Sequence, residues 1–351
     1  MHCYFAFLVL RFTLSMTIIA SAPTRIDLAG GTLDLEPLYL FHPGACSVNL
    51  AVTLPATVRL SPRRGTAVDL IARDRRQTVR AAALRKLSDR RLPLLVAAAR
   101  HFMPATGFTL VTDCAAPAGS GLGGSSSLAI ALVAAFRKWQ RLPLNRDETL
   151  TIAKGIETSV IQVPTGFQDY LPALYGGLNV WHFGVSGIRH EPLRLSTGFM
   201  KILERQLVLA YTGVPHFSGM NNWEIFKRHV DGNQKIYNLF EQLWDNALAM
   251  ASALKAQNLA QVARVLNRDW ATRKKLAPGV STPKIDRLIA DGKRVGVIGS
   301  RVCGAGGGGC MALLVKTGKA EILRLWLNNK KIRVLPYNID IQGLKLKTNN
   351  A

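Results

Sequence analysis

The sequence predicts an α+β protein of two intimately packed domains, and three observations lead there. Strand-like and helix-like patterns are interleaved along all 351 residues, with no internal repeat and no low-complexity linker. The pattern changes near residue 200, from short β-patterned runs mixed with apolar helices to mostly long helical spacing. A chain of this length has room for two substantial cores, and 48% hydrophobic with 19% charged residues excludes a disordered chain.

Taken in order, "TIIASAPTRIDLAG" reads as a strand entering the glycine pair Gly30 and Gly31, and "CSVNLAVTLPATVRLSP" alternates as a pair of strands. Residues 84–103 have helical spacing, "FTLVTDCAAP" is a strand, and Ser127 to Trp139 form an apolar helix. Asn145 is placed to cap the next helix, with Glu148 three positions on as in a capping box, and that helix continues through "TLTIAKGIETSVIQ". The turn-rich "VPTGFQDYLPALYGGLNVWHF" follows. Beyond about 201, "LVLAYTG" is a strand and Asn221 to Leu276 are largely helical. The glycine turn "CGAGGGGC" then precedes the strand "MALLVK", a helix and the closing "KIRVLPYNIDIQGLKL". The expected division is 16–200 and 201–351. Residues 1–15 resemble the start of a signal peptide, but they lack a basic leading segment and Arg11 interrupts the apolar run. Cleavage after Ala22 would also cut the first strand, so 1–15 reads as a dispensable extension or an upstream-start artefact.

A net charge of +23 permits an anionic partner, yet the basic clusters carry no interleaved aromatics and read as a solvated surface. Nucleic acid is therefore not the expected partner. Five cysteines, odd in number and widely spaced, form neither a disulfide framework nor a zinc motif, which suits a reducing cytoplasm. No membrane span is expected.

The chemistry concentrates in "PAGSGLGGSSSLAIAL". Glycines following a strand and opening a helix let backbone N–H groups converge on an anion at the positive helix end. Gly119, Gly121 and Gly124 fit G-x-G-x-x-G, but the second strand and acidic residue of a dinucleotide fold do not follow, and no Walker string exists. The segment reads as a phosphate loop without its own lysine, which leaves positive charge and metal to come from elsewhere. Glu157 sits at the margin of an apolar helical stripe, where a carboxylate is either paired or coordinating; with a loop serine it suffices for Mg²⁺. Asp169, in an apolar turn-rich loop, can accept a substrate proton or merely shape a turn. Arg25 and Asp34 flank the first glycine turn as a charge stabiliser and a hydroxyl binder, or as a surface ion pair and a turn residue. Gly304 to Gly309 repeat the glycine string before a strand, where close packing is the better reading.

Together "APTRIDLAGGTLDLEPLY", "PAGSGLGGSSSLAIAL", "GAGGGGCMALL" and the connecting "GFQDYLPALYGGLN" resemble the GHMP kinase superfamily, most of all its D-glycero-D-manno-heptose 7-phosphate kinase type. The resemblance implies a two-domain α+β fold with the active-site cleft between domains. It implies ATP phosphates on Pro117, Gly119, Ser120, Gly121, Leu122, Gly123, Gly124, Ser125, Ser126 and Ser127, with Gly306 and Gly307 buttressing that loop. It assigns catalysis to Asp169 and Arg25, the acceptor to Asp34 with Gly31 and Thr32, and Mg²⁺ to Ser125 and Glu157. Two departures stand out: Gly124 replaces the first serine of the usual loop, and Leu33 separates Thr32 from Asp34. The expected activity is ATP-dependent phosphorylation of a sugar or sugar-phosphate hydroxyl, such as that of a heptose 7-phosphate. The alternatives are a non-sugar alcohol as acceptor, or a non-catalytic sugar- or nucleotide-sensing protein.

Overall fold

The structure, a computed structural model, describes residues 16–215 and 218–350, so the expected extension at 1–15 lies outside the described residues. β1 (Met16–Ala29) is buried on both faces from Ala22 onward, so Thr24, Arg25 and Asp27 are buried along with its apolar residues. β2 (Cys46–Pro62) pairs antiparallel with it. The sequence suggested two strands here; there is one, and it changes partner midway. Residues 46–50 pair with β6 and residues 56–62 with β5. Pro55 falls between the two ladders, where a residue without an N–H breaks no bond.

β3 (Val68–Ala72) and β4 (Gln77–Ala81) form a hairpin, and β3 runs parallel to β5 (Phe108–Cys114). Between them α1 (Pro93–Phe102) starts later than the spacing suggested, at a proline whose fixed φ and missing N–H suit a first helical position. α2 (Gly124–Trp139) is the central helix, with Ala129 to Phe136 fully buried. α3 (Arg146–Ile161) is capped by Asn145, whose side chain accepts from Asp147 N and Glu148 N at 2.9 and 3.1 Å. Glu148 pairs with Arg137.

Next come α4 (Tyr170–Tyr175), β6 (Leu178–Gly184), β7 (Gly187–Pro192), α5 (Thr197–Gln206) and β8 (Leu207–Tyr211). The long helical region resolves into α6 (Ser218–Val230), α7 (Gln234–Lys255) and α8 (Leu259–Arg273), each ending at a turn. α9 (Pro283–Arg294), β9 (Val297–Val302), β10 (Cys310–Val315), α10 (Ala320–Asn329), β11 (Arg333–Val334) and β12 (Lys345–Asn350) complete the chain.

Eight strands form one sheet in the order β12-β1-β2-β5-β3-β4, with β6 also on β2 and β7 on β6; the other sheet runs β11-β8-β10-β9. β12 thus leaves the later half of the chain to pair with β1. One apolar core, holding Ile26 and Leu50 together with Leu209, Leu254 and Ala312, is shared by both halves. Above it the carboxyl end of β1, the start of α2 and the end of α8 converge on one cleft.

Candidate active site

Arg25 lies near the end of β1 with 1% of its side chain exposed. Its backbone N–H donates to Leu122 O at 3.0 Å and its Nη1 to Gly121 O, which ties the glycine loop to the strand. Nε and Nη2 both donate to Asp169 Oδ1, at 2.9 and 2.5 Å, and Nε lies 2.8 Å from Asp27 Oδ1. Burial alone would lower the Arg25 pKa, but the Asp169 and Asp27 carboxylates raise it on balance, so this cation is permanent. Burial pushes the Asp169 carboxyl up from its ordinary value, while Arg25 opposes the shift. A half-buried carboxylate made more basic than usual is suited to accept a proton or hold a hydroxyl.

The loop approaches this pair through glycines. Gly119, Gly121 and Gly123 have φ of 66, 73 and 74°, the left-handed region that side chains avoid. A Cβ on Gly123 would stand 3.3 Å from Asp169 Cβ, so the bare backbone lets the aspartate close in. No side chain caps the start of α2, which leaves first-turn N–H groups free for an anion. Ser126 Oγ donates to Glu157 Oε2 at 2.8 Å, with the Ser125 and Tyr170 hydroxyls beside the same carboxylate. Ser127 turns away to donate to Pro23 O at 2.8 Å. Glu157 is 5% exposed, and burial raises its pKa. Among the described residues its partners are hydroxyls and no cation pairs with it. This donor set fits Mg²⁺, which takes one or two protein oxygens and completes its shell with substrate phosphates and water.

The first glycine turn forms the opposite wall. Asp34 is 1% exposed, and its two oxygens accept from Thr32 N and Gln168 N at 3.1 and 2.9 Å. Burial, with Asp169 nearby, pushes its carboxyl up to about 6. Leu33 goes into the core, so the residue inserted before Asp34 does not carry it out of the cleft. A Cβ on Gly166 would fall 1.8 Å from Asp34 Oδ2, so that glycine is obligatory. Arg273, at the end of α8, donates from Nη1 to Gly31 O and Thr32 Oγ1 at 2.6 and 3.1 Å and from Nη2 to Gly304 O at 2.9 Å. Burial lowers its pKa, and Arg301 adds to the effect.

The third glycine run forms the bend between β9 and β10 rather than a helix start. Cys310 N donates to Ser120 O at 2.7 Å and Gly304 N to Asp27 Oδ2 at 2.9 Å, so the bend supports the loop from behind. Gly306 and Gly307 face away from the cleft, packed on Val280 O and Gly279 O. A cavity of about 480 Å³ unites the rest: Arg25, Asp169, Glu157, Ser125 and Ser126 border it with Thr32 and Asp34 at one end, and Ala72, Arg75 and Leu92 to Leu95 at the other.

Two family descriptions match the chain, GHMP kinases N terminal domain over residues 93–177 and GHMP kinases C terminal over residues 250–330. The chain thus matches both the N-terminal and the C-terminal domain of the GHMP kinases. The chain is 28% identical over 239 residues to the D-glycero-alpha-D-manno-heptose 7-phosphate kinase of Campylobacter jejuni, covering 68% of this chain and 70% of that one. It is 26% identical over 310 residues to a mevalonate kinase of Archaeoglobus fulgidus, covering 87% and 94%. A D-glycero-D-manno-heptose 1-phosphate kinase from Bacteroides thetaiotaomicron superposes with a TM-score of 0.79 at 23% identity, covering 95% of this chain and all of that one; it shares the fold.

Four residues of the site were not singled out from the sequence. Asp27 and Arg301, both fully buried, sit behind Arg25 with their closest charged atoms 3.6 Å apart, and Arg301 Nη1 reaches Asp269 Oδ2 at 2.9 Å. Gln168 and Arg273 border the acceptor turn. Arg273 stands in a run with Lys274 and Lys275, and only the helix phase separates the buried cation from the exposed ones. The Asp27 signal was available: a second charge two residues from Arg25 in a strand buried on both faces.

Proposed function

We propose that this protein transfers the γ-phosphoryl group of ATP to a hydroxyl of a sugar or sugar phosphate. The observation that carries the reading is the Arg25–Asp169 pair, set in one cleft with the uncapped helix start and with Asp34, which accepts from the neighbouring Gln168 N. Phosphates settle on the loop amides of residues 119–126 and the first turn of α2. Asp169 holds the acceptor hydroxyl in line and takes its proton as the new P–O bond forms and the bond to ADP breaks. Arg25 keeps Asp169 oriented and offsets negative charge that gathers on the transferred group. Mg²⁺, held by Glu157 with Ser126 and Ser125, neutralises phosphate charge when bound. Asp34, fixed by two backbone amides, offers its remaining lone pairs to acceptor hydroxyls. A heptose 7-phosphate heads the acceptor candidates because of the Campylobacter relative.

Among the described residues no helix is long and apolar enough to cross a membrane, and Cys46, Cys114, Cys303 and Cys310 are free thiols. The test is ADP release with ATP and Mg²⁺ over a panel of heptose 7-phosphate, D-galactose, L-fucose and mevalonate. Sugar-dependent release supports the reading. Release with mevalonate alone favours the alcohol acceptor suggested by the Archaeoglobus relative, and nucleotide binding without any release points to a sensor.

A further inference from the structure

We propose that Gln168 is a specificity-determining residue of the acceptor end: its carboxamide oxygen accepts a hydrogen bond from an acceptor hydroxyl other than the one phosphorylated. The inference rests on the sugar-kinase reading and deepens it. Gln168 precedes Asp169 and is pinned through its backbone on both sides. Its N–H donates to Asp34 Oδ2 at 2.9 Å, and its carbonyl accepts from Asn49 Nδ2 at 3.2 Å. Asn49 is fixed in turn by Trp181 Nε1 at 3.1 Å. The backbone is spoken for, and the side chain is left over.

That side chain borders the cleft and lies across Gly31, where a Cβ would stand 3.2 Å from both of its terminal atoms. Its Oε1 is buried and, among the described residues, has no hydrogen-bond partner. A buried amide oxygen without a donor is costly to keep, and in a cleft the missing donor is most simply the ligand. The neighbours define what that donor is. Arg25 is engaged by Asp169, Asp27 and Gly121 O, and Arg273 by Gly31 O, Thr32 Oγ1 and Gly304 O. The described side chains with lone pairs to offer at this end include Asp34, Asp169 and Gln168, with the Thr32 hydroxyl beside them. Such an end suits a neutral molecule rich in hydroxyl donors and mismatches an acceptor that brings a carboxylate to the same place. An anionic group on the acceptor has to extend beyond it.

The experiment compares wild type with Gln168→Leu and Gln168→Glu, using D-glycero-D-manno-heptose 7-phosphate, D-galactose, L-fucose and mevalonate, and then the monodeoxy forms of whichever sugar turns over best. The expected result is a loss of about 10- to 100-fold in kcat/KM for that sugar in Gln168→Leu, with the KM for ATP within about twofold of wild type. One monodeoxy form should suffer the same loss in wild type and no further loss in the Leu variant. Gln168→Glu, which keeps the accepting oxygen, should recover most of the activity; if the Leu variant does not fold, Gln168→Ala takes its place, with the same loss and the same monodeoxy comparison expected. Equal losses on every deoxy form, a loss confined to ATP, or no loss overturns the proposal. Absence of sugar turnover by wild type overturns the sugar reading and this inference with it, whereas sugar turnover unaffected by Gln168→Leu overturns this inference alone.

Discussion

Gly119–Gly124 and Gly304–Gly309 spell the same G-x-G-x-x-G string, and the chain puts them to opposite uses. In the first, Gly123 at φ 74° caps the start of α2 without a side chain, and the nearest atoms to its missing Cβ belong to Asp169. The second bends β9 back into β10, and its glycines lie against the carbonyls of Gly279 and Val280. Glycine grants close approach in both cases; the element that follows decides whether a ligand or the protein itself makes that approach. A glycine string therefore says that something comes near the backbone, and the downstream helix or strand says what.

The comparison can be broken or sharpened by substitution. The largest effect should come where the first run meets chemistry: Asp169→Asn should lower kcat by about 10³-fold and leave the melting temperature nearly unchanged. A comparable fall in melting temperature would make Asp169 a structural residue. In the second run Gly306→Ala should act through stability, because its φ is 87° and the new Cβ would stand 2.3 Å from Val280 O. A loss of about 3 kcal/mol in denaturant unfolding is expected, with little change in the KM for ATP of the folded fraction. The acceptor turn offers an intermediate case. With the Asp34 carboxyl raised to about 6 against about 4 in the unfolded chain, its contribution to stability is fully present below about pH 4 and is lost as pH rises to about 6. Comparing wild type with Asp34→Asn from pH 4 to 7 should isolate a pH-dependent difference of about 2–3 kcal/mol. A pH-independent difference removes the burial argument. Gly123→Ala should cost about 1 kcal/mol of stability while raising the KM for ATP and lowering kcat together, read by steady-state kinetics. Gly124→Ser should matter least, about 0.5–1 kcal/mol, since Gly124 lies in the helix without a positive φ and the Cys114 thiol, 3.2 Å from the new Cβ, need give by only a few tenths of an ångström.

Much of this was legible beforehand, for identifiable reasons. Arg25, Asp34, Glu157 and Asp169 are charges set in apolar runs, and a charge there announces a partner; the cleft brings all four together. The serine run was harder. Helical rotation of 100° per residue separates Ser126, on Glu157, from Ser127, on Pro23 O, and the string SSS carries no phase of its own. Gln168 and Arg273 were missed because each looks like an ordinary loop or helix-end residue until the fold folds its backbone or its neighbours away. The single long β2 was missed because a proline inside an alternating run ordinarily signals a break, and here it signals a change of partner.

The pairing of β12 with β1 bears on how the protein is made. Met16 lies opposite Asn350, so a strand synthesised near the start is completed by one synthesised hundreds of residues later. Until that segment emerges, β1 offers an open edge to any other nascent chain, and the first half of the molecule matures last along that edge. A ribosome stalled between the end of β1 and residue 345 would present the Met16–Ser21 edge of that strand without its partner.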